Sequence, residues 1–276
     1  KNGGDGAVRE FCDYIIKIIN RTNEKISCVI PCAKINSINQ NSRKFCDSSL
    51  LDIKLENLKN LHFDELILSS NDDDLKKYKN ENIIFDKRNE YLCTNNNSYK
   101  DLYTYHSSTI KNEVMFYTTP LTPFLNNSSI DKLISFWKNN PNYELVIFSQ
   151  KIRNIIKKDN KYLPLHHAGF IVDIKTFEKY NYDISEIKNI YYIELLDLET
   201  LVISNNTNFV LAESLFYRNF TNTKLIDDYM LNHNFKKTKV LDCTIRDSGY
   251  LNNWNWDYDV VKNFVYYMGE IGVEYC

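Results

Sequence analysis

Glycine is scarce in this chain, with seven residues in 276 and none between Gly6 and Gly169. A loop that cradles phosphates in tight, left-handed turns uses glycine. Any such loop between Ala7 and Ala168 therefore has only asparagine, the next most tolerant residue, for those positions. Charge of one sign is also lacking: the formal net charge of -2 gives no reason to expect a nucleic acid or an acidic membrane as partner. No apolar run approaches the roughly 18 residues that span a bilayer, and no signal-peptide pattern opens the sequence. The seven cysteines, at positions 12, 28, 32, 46, 93, 243 and 276, lack the close pairs of a zinc site, and several sit in apolar runs. Buried, reduced thiols of a cytoplasmic protein fit that pattern best.

What is present is an alternation of strand-like and helix-like segments. The length accommodates one full α/β domain with extensions, or two small domains. The β-branched run Ile26-Ser27-Cys28-Val29-Ile30 stops at Pro31 and opens into a polar loop ending in Asn41-Ser42-Arg43-Lys44-Phe45. A buried strand leading through such a loop into a helix puts backbone N–H groups and cations where a nucleotide's phosphates would sit. An ordinary strand exit has the same pattern. Leu50, Leu51, Ile53, Leu55, Leu58 and Leu61 predict a helix capped by Ser48 or Ser49. Asp64–Ser70 reads as a strand, and Asn71-Asp72-Asp73-Asp74-Leu75 as a helix start with acids at its positive end. Ile83–Phe85 follows as a third strand, Tyr99–Thr109 as a helix, and Glu113–Thr119 as a central strand ending in Pro120-Leu121-Thr122-Pro123. Ile130–Lys138 predicts a helix and Tyr143–Ser149 another strand. His166 and His167 enter a strand with Ala168 and Gly169; on a strand, adjacent histidines face opposite ways and make a poor metal pair.

The motifs at these strand exits resemble the acylneuraminate cytidylyltransferase family, which activates acidic sugars as CMP conjugates. Ile30-Pro31, Ser69-Ser70-Asn71-Asp72, Lys87-Arg88-Asn89-Glu90-Tyr91-Leu92, Thr118-Thr119-Pro120-Leu121, His167-Ala168-Gly169, Phe209 and Ala212-Glu213 carry the resemblance over most of residues 24–221. It implies a three-layer α/β domain of the nucleotide-diphospho-sugar-transferase-like, Rossmann-like class, with a mainly parallel sheet. It also implies CTP and an acidic sugar as partners, with Pro31, Asn36, Ser37, Asn41, Arg43 and Thr119 binding nucleotide. Arg88 and Lys34 take catalytic positions, and His167 faces the sugar. Mg²⁺ is implied if the enzyme is active, and a homodimer is left open. The sequence departs from the family at several of these points. The loop has no arginine before Arg43 and no glycine, Asn71 stands for the first aspartate of its motif, and the two metal-binding aspartates correspond to Val202 and Ser204. Valine supplies no oxygen to a hard cation. Asp197 and Glu199 could substitute only through a five-residue slip of the strand, which would flip its faces. The expectation is a cytidylyltransferase-like domain with weakened or lost catalysis, or a non-catalytic domain that binds a sugar nucleotide or links its neighbours.

The two ends resemble other families. Residues 1–23 look like the tail of the phosphatases acting on 3-deoxy-manno-octulosonate 8-phosphate, without their aspartate nucleophile. After a linker at 222–238, Asp242-Cys243-Thr244-Ile245-Arg246-Asp247-Ser248-Gly249-Tyr250 is similar to the first strand of metal-dependent aldolases related to hydroxymethylglutaryl-CoA lyase. There the residues matching Arg246 and Asp247 polarise a carbonyl and bind the metal. A complete barrel needs about 200–250 residues, so residues 239–276 are expected to be a truncated barrel start in a slice of a multidomain protein.

Overall fold

The computed structural model describes residues 6–35, 41–94, 98–153, 160–220 and 261–262. Asn36, Ser37, the linker at 222–238, Arg246 and Asp247 lie outside them, as does all of 239–276 except Val261 and Lys262. The chain divides into two compact units, Lys1–Phe216 and Tyr217–Cys276, and the fold below is that of the first.

In chain order its elements are α1 (Ala7–Thr22), β1 (Ile26–Cys32), a two-residue hairpin of β2 (Lys44–Phe45) and β3 (Ser48–Ser49), α2 (Leu50–Leu58), β4 (Glu65–Ser70), β5 (Ile83–Lys87), α3 (Tyr99–Thr109), β6 (Val114–Tyr117), α4 (Asn127–Asn139), β7 (Leu145–Arg153), β8 (Asn160–Pro164), β9 (Phe170–Asp173), α5 (Ile174–Lys179), β10 (Ile190–Glu194) and α6 (Asn206–Phe220). The sheet runs β10-β7-β9-β6-β1-β4-β5, with β8 paired to β7. β5, β4, β1 and β6 are mutually parallel, and so are β7 and β10. β9 lies antiparallel between β6 and β7. This is the mainly parallel three-layer α/β class that the resemblance implied.

Burial on both faces explains why β1, Ser27 apart, is apolar. Its alternate residues Ile26, Cys28, Ile30 and Cys32 pack with Leu51 and Leu58 of α2 and with Leu133 and Trp137 of α4. Val29 faces the other layer, with Tyr103 of α3 and Phe177 of α5. β6 repeats the alternation, with Val114 and Phe116 on one side and Met115 and Tyr117 on the other. Each large apolar side chain so buried contributes about 1.5–3 kcal/mol. Gly169 is needed where β9 begins: its φ is +146°, and a Cβ there would sit 2.8 Å from the Tyr117 carbonyl oxygen.

Three local expectations are corrected. Asp72 caps a 3-10 turn, Asp73–Tyr78, through its side chain rather than opening an α-helix. His166 and His167 sit in a turn before β9, so strand alternation does not govern them. Residues 201–204 form no strand; Ile203 N–H donates instead to the Leu121 carbonyl at 2.8 Å. Ser49 does cap α2, accepting from Asp52 N–H. α1 forms with no buried residue, held at its end by Arg21, which donates to the Asn140 and Tyr143 carbonyls at 3.3 and 2.9 Å and lies 3.8 Å over the Trp137 ring.

Candidate functional site

β1 connects to β4 on one side while β6 lies on the other, so the strand order reverses between β1 and β6. Open α/β sheets form ligand crevices beyond the strand ends at such a point. A cleft of about 630 Å³ lies there, lined by Pro31 and Ala33 after β1, Arg88 after β5, Tyr117 and Thr119 at the end of β6, Tyr99 of α3, His167 and Ser204. Pro31, Asn41, Arg88, Thr119, His167 and Ser204, predicted far apart in sequence, are brought together. Lys34 and Arg43 are not among the lining residues.

Arg88 is 2% exposed. Its backbone N–H donates to the Ser70 carbonyl at 2.9 Å, and its Nε donates to Cys93 Sγ at 3.1 Å. Among the described residues no carboxylate pairs with it. Its two acidic sequence neighbours are engaged elsewhere. Asp86 accepts from the hydroxyls of Ser69 at 2.7 Å and Tyr105 at 2.9 Å, and Glu90 accepts from Asn71 Nδ2 at 2.9 Å. Burial, and secondarily the Arg88 charge, push the pKa of His106 well below the usual histidine range, leaving that ring neutral against Ser69 Oγ at 3.1 Å. A buried guanidinium without a counter-ion is costly unless an anion completes it.

Lys34 and Arg43 show what happened to the other loop cations. Lys34 Nζ pairs with Asp72 at 3.2 Å, and that hydrogen bond and charge raise its pKa. Its backbone N–H donates to Asn71 Oδ1 at 2.8 Å, while Asn71 Nδ2 returns a bond to the Lys34 carbonyl at 3.0 Å. Lys87 pairs with Asp73 at 2.8 Å. The acidic run after β4 thus pairs Lys34 of the loop and Lys87 of β5. Arg43 is exposed, donates to Asn206 Oδ1 at 3.1 Å and lies 3.6 Å over the Phe209 ring. Glu213 accepts from Cys46 N–H at 2.9 Å. The Phe209 and Ala212-Glu213 motif therefore anchors the first loop to α6.

Among the described residues, the side of the cleft where carboxylates were expected has none. Ser204 lines the cleft, and Val202 lines an adjoining cavity. Glu199 is 4% exposed and committed to structure: Oε1 accepts from Asn126 N–H at 3.2 Å and Ser129 Oγ at 2.8 Å, and Oε2 from Leu196 N–H at 3.3 Å. It is unable to substitute for the missing aspartates. Among the described residues no carboxylate lines the cleft, and no group of three or more His, Cys, Asp or Glu could hold a metal ion. The donor set does not fit Mg²⁺, which binds carboxylate and other hard oxygens.

Sequence reasoning passed over Lys54. It is 1% exposed and reaches only Thr118 Oγ1 at 3.4 Å and Thr122 Oγ1 at 3.2 Å. Burial pushes its pKa down to about 7, partly offset by Cys28. Its position between Leu51 and Leu58 at helical spacing was the available signal. Thr118 donates to the Ala168 carbonyl at 2.7 Å, and Thr119 donates to the His167 carbonyl at 3.0 Å, so these threonines tie the exit of β6 to the His167 turn. Tyr99, whose hydroxyl lies 3.2 Å from His167 Nε2, was read only as the start of a helix.

No protein-family model matches the sequence, and no curated protein matches it. Solved structures do match in shape. The 4-diphosphocytidyl-2C-methyl-D-erythritol synthase of Anaerococcus prevotii aligns at TM-score 0.52 and 14% identity, over 72% of this chain and 98% of that one. CMP:2-keto-3-deoxy-manno-octonic acid synthetase complexed with CTP aligns at 0.54 and 8%, over 70% and 99%. The Francisella tularensis 2-C-methyl-D-erythritol 4-phosphate cytidylyltransferase aligns at 0.51 and 15%, over 69% and 99%. At such identities the likeness is one of fold, and the first unit of this chain has the nucleotide-diphospho-sugar-transferase-like fold of these cytidylyltransferases.

Proposed function

We propose that the domain is a cytidylyltransferase-like unit that binds a cytidine nucleotide and an acidic sugar in this cleft, with transfer of CMP from CTP to the sugar weakened or lost. The observation that carries the reading is Arg88, a buried guanidinium without a carboxylate partner among the described residues, lining a cleft at the carboxyl ends of the strands. A phosphate or carboxylate there completes its hydrogen bonds in a low-dielectric setting, where a charge-assisted bond is strong. Thr119 and Asn41 offer neutral polar atoms beside it, and His167 closes the cleft on the sugar side. Weak transfer follows from the opposite wall. In the reaction a sugar hydroxyl attacks the α-phosphorus of CTP and pyrophosphate leaves, and Val202 and Ser204 supply no carboxylate to hold a cation against the leaving charge.

The test measures pyrophosphate release from CTP with a panel of 2-keto sugar acids, alongside calorimetric titration of CMP. Binding of CMP with little or no turnover is the expected result, and Val202→Asp/Ser204→Asp should raise turnover. Robust turnover by the unaltered chain would remove the claim of weakened catalysis, and absence of CMP binding would remove the nucleotide reading altogether. The cleft's lack of carboxylates also favours a second reading of the same site, a purely binding or linking domain, which predicts no gain from the double substitution.

A further inference from the structure

Asp86 and Arg88 are opposite charges two residues apart at the end of β5, which is the edge strand of the sheet. The bond from Arg88 N–H to the Ser70 carbonyl continues the pairing of β5 with β4 by one residue, so both side chains leave the same face of the extended chain. α3 covers that face: its Tyr105 bonds Asp86, and the charge of Arg88 is felt at both Tyr105 and His106. Neighbours of opposite charge about 7 Å apart along a strand are within reach of each other's long side chains. Yet no ion pair joins them, and Arg88 Nε donates to Cys93 Sγ instead.

Two hydroxyls and an imidazole account for the separation. The Tyr105 hydroxyl donates to Asp86 Oδ1 at 2.9 Å and lies 3.0 Å from Oδ2, and Ser69 Oγ donates to Oδ2 at 2.7 Å. Having given its proton to Asp86, Ser69 Oγ is left to accept from His106 Nε2 at 3.1 Å. This puts the ring proton on Nε2, in keeping with a buried Nδ1 that has no partner and a ring that burial keeps neutral. The acid on the other side of Arg88 is engaged in the same way, since Asn71 Nδ2 donates to Glu90 at 2.9 Å. Ser69, Ser70 and Asn71, consecutive at the end of β4, thus take Asp86, Arg88 and Glu90 in turn.

We infer that Ser69, Tyr105 and His106 are positioning residues of the cleft: they hold Asp86 away from Arg88, so that the guanidinium meets a ligand anion uncompensated. An incoming anion then gains a whole charge-assisted bond rather than displacing a carboxylate already in place. The two hydroxyls serve Asp86 as donors where the guanidinium otherwise would, so its carboxylate is not left unpaired in turn. Asp86 is in this sense a latent competitor for the site. The inference rests on the reading of Arg88 as the group that takes the ligand's anion, and adds to it what keeps that group free.

The experiment is a double-mutant cycle read by calorimetric titration of CMP, and separately of inorganic pyrophosphate, onto the full chain. Tyr105→Phe strips the tyrosine's bonds from Asp86 and frees Oδ1 to turn to Arg88, which should weaken both ligands about 10-fold. Adding Asp86→Asn should restore the affinity, whereas the same change in the parent should alter it less than about 3-fold. Ser69→Ala, which frees Oδ2 instead, should repeat the pattern. A merely structural part for Tyr105 lowers affinity with no restoration by Asp86→Asn. That result, or full affinity in both Tyr105→Phe and Ser69→Ala, overturns the inference while CMP binding by the parent upholds the nucleotide reading. Pyrophosphate binding that shows the cycle, with no binding of CMP, overturns the nucleotide reading alone. Binding of neither ligand overturns both.

Discussion

One side of the cleft lies at the ends of the parallel strands β1, β5 and β6 and presents a buried guanidinium; the segment after β10 presents Ser204 to the cleft and Val202 to the adjoining cavity. The two differ in how far each has kept the chemistry its fold can hold. On the parallel side acids and bases pair, Lys34 with Asp72 and Lys87 with Asp73, and among the described residues Arg88 has no carboxylate partner. On the other side, Glu199 is spent on capping α4. Under the proposed reading, that difference makes a cleft that attracts an anion but does not hold the cation a triphosphate needs.

The largest expected effect sharpens the parallel side. Lys54 is a second buried cation there, but it lies beneath the β6 exit and does not line the cleft. Its folded pKa of about 7 lies below the unfolded value. Between roughly pH 7 and 10.4 the unfolded chain binds the extra proton, so wild-type stability should rise with pH across that window. Lys54→Met removes the penalty. It should be more stable by up to about 4 kcal/mol at and below pH 7, with the gain shrinking toward pH 10; urea denaturation at several pH values checks this. A gain independent of pH would mean that Lys54 is not held depressed.

Arg88→Met probes the cleft itself. It should weaken CMP binding about 10- to 100-fold, the range for losing charge-assisted hydrogen bonds, without lowering the unfolding midpoint, since no buried acid is orphaned by the change. Unchanged affinity by calorimetry would break the contrast between the walls. Glu199→Gln tests the segment after β10: an amide NH₂ would face a backbone or hydroxyl donor now bonded to a carboxylate oxygen. A loss of about 1–2 kcal/mol in denaturant unfolding is expected, and no loss would free Glu199 for other roles. Lys34→Met should change least, since its side chain is 34% exposed and its ammonium is already paired with Asp72. The unfolding midpoint should barely move and CMP affinity should hold; a large loss of affinity would return Lys34 to the site.

Much of the fold was legible because its signals are local. α3 was read at the residues where it lies, Tyr99–Thr109, since a serine cap and helical spacing fix both ends. The 3-10 turn at Asp73–Tyr78 was less legible, because acids at a positive helix end look the same for either geometry. Segment 201–204 reads as apolar and strand-like, and only the hydrogen bond of Ile203 to Leu121 shows that it leaves the sheet.

The sequence alone determined the alternation of elements, the proline exit of β1, the glycine that β9 requires and the missing carboxylates at Val202 and Ser204, because each is a property of one residue or one local pattern. The tertiary structure decided which charges are free. Whether Lys34, Arg43, Lys54, Arg88 or Glu199 faces a ligand depends on partners as much as 163 residues away, as with Arg43 and Asn206. Charge pairing acts through space at distances of a few ångströms, and the order of residues does not encode it locally.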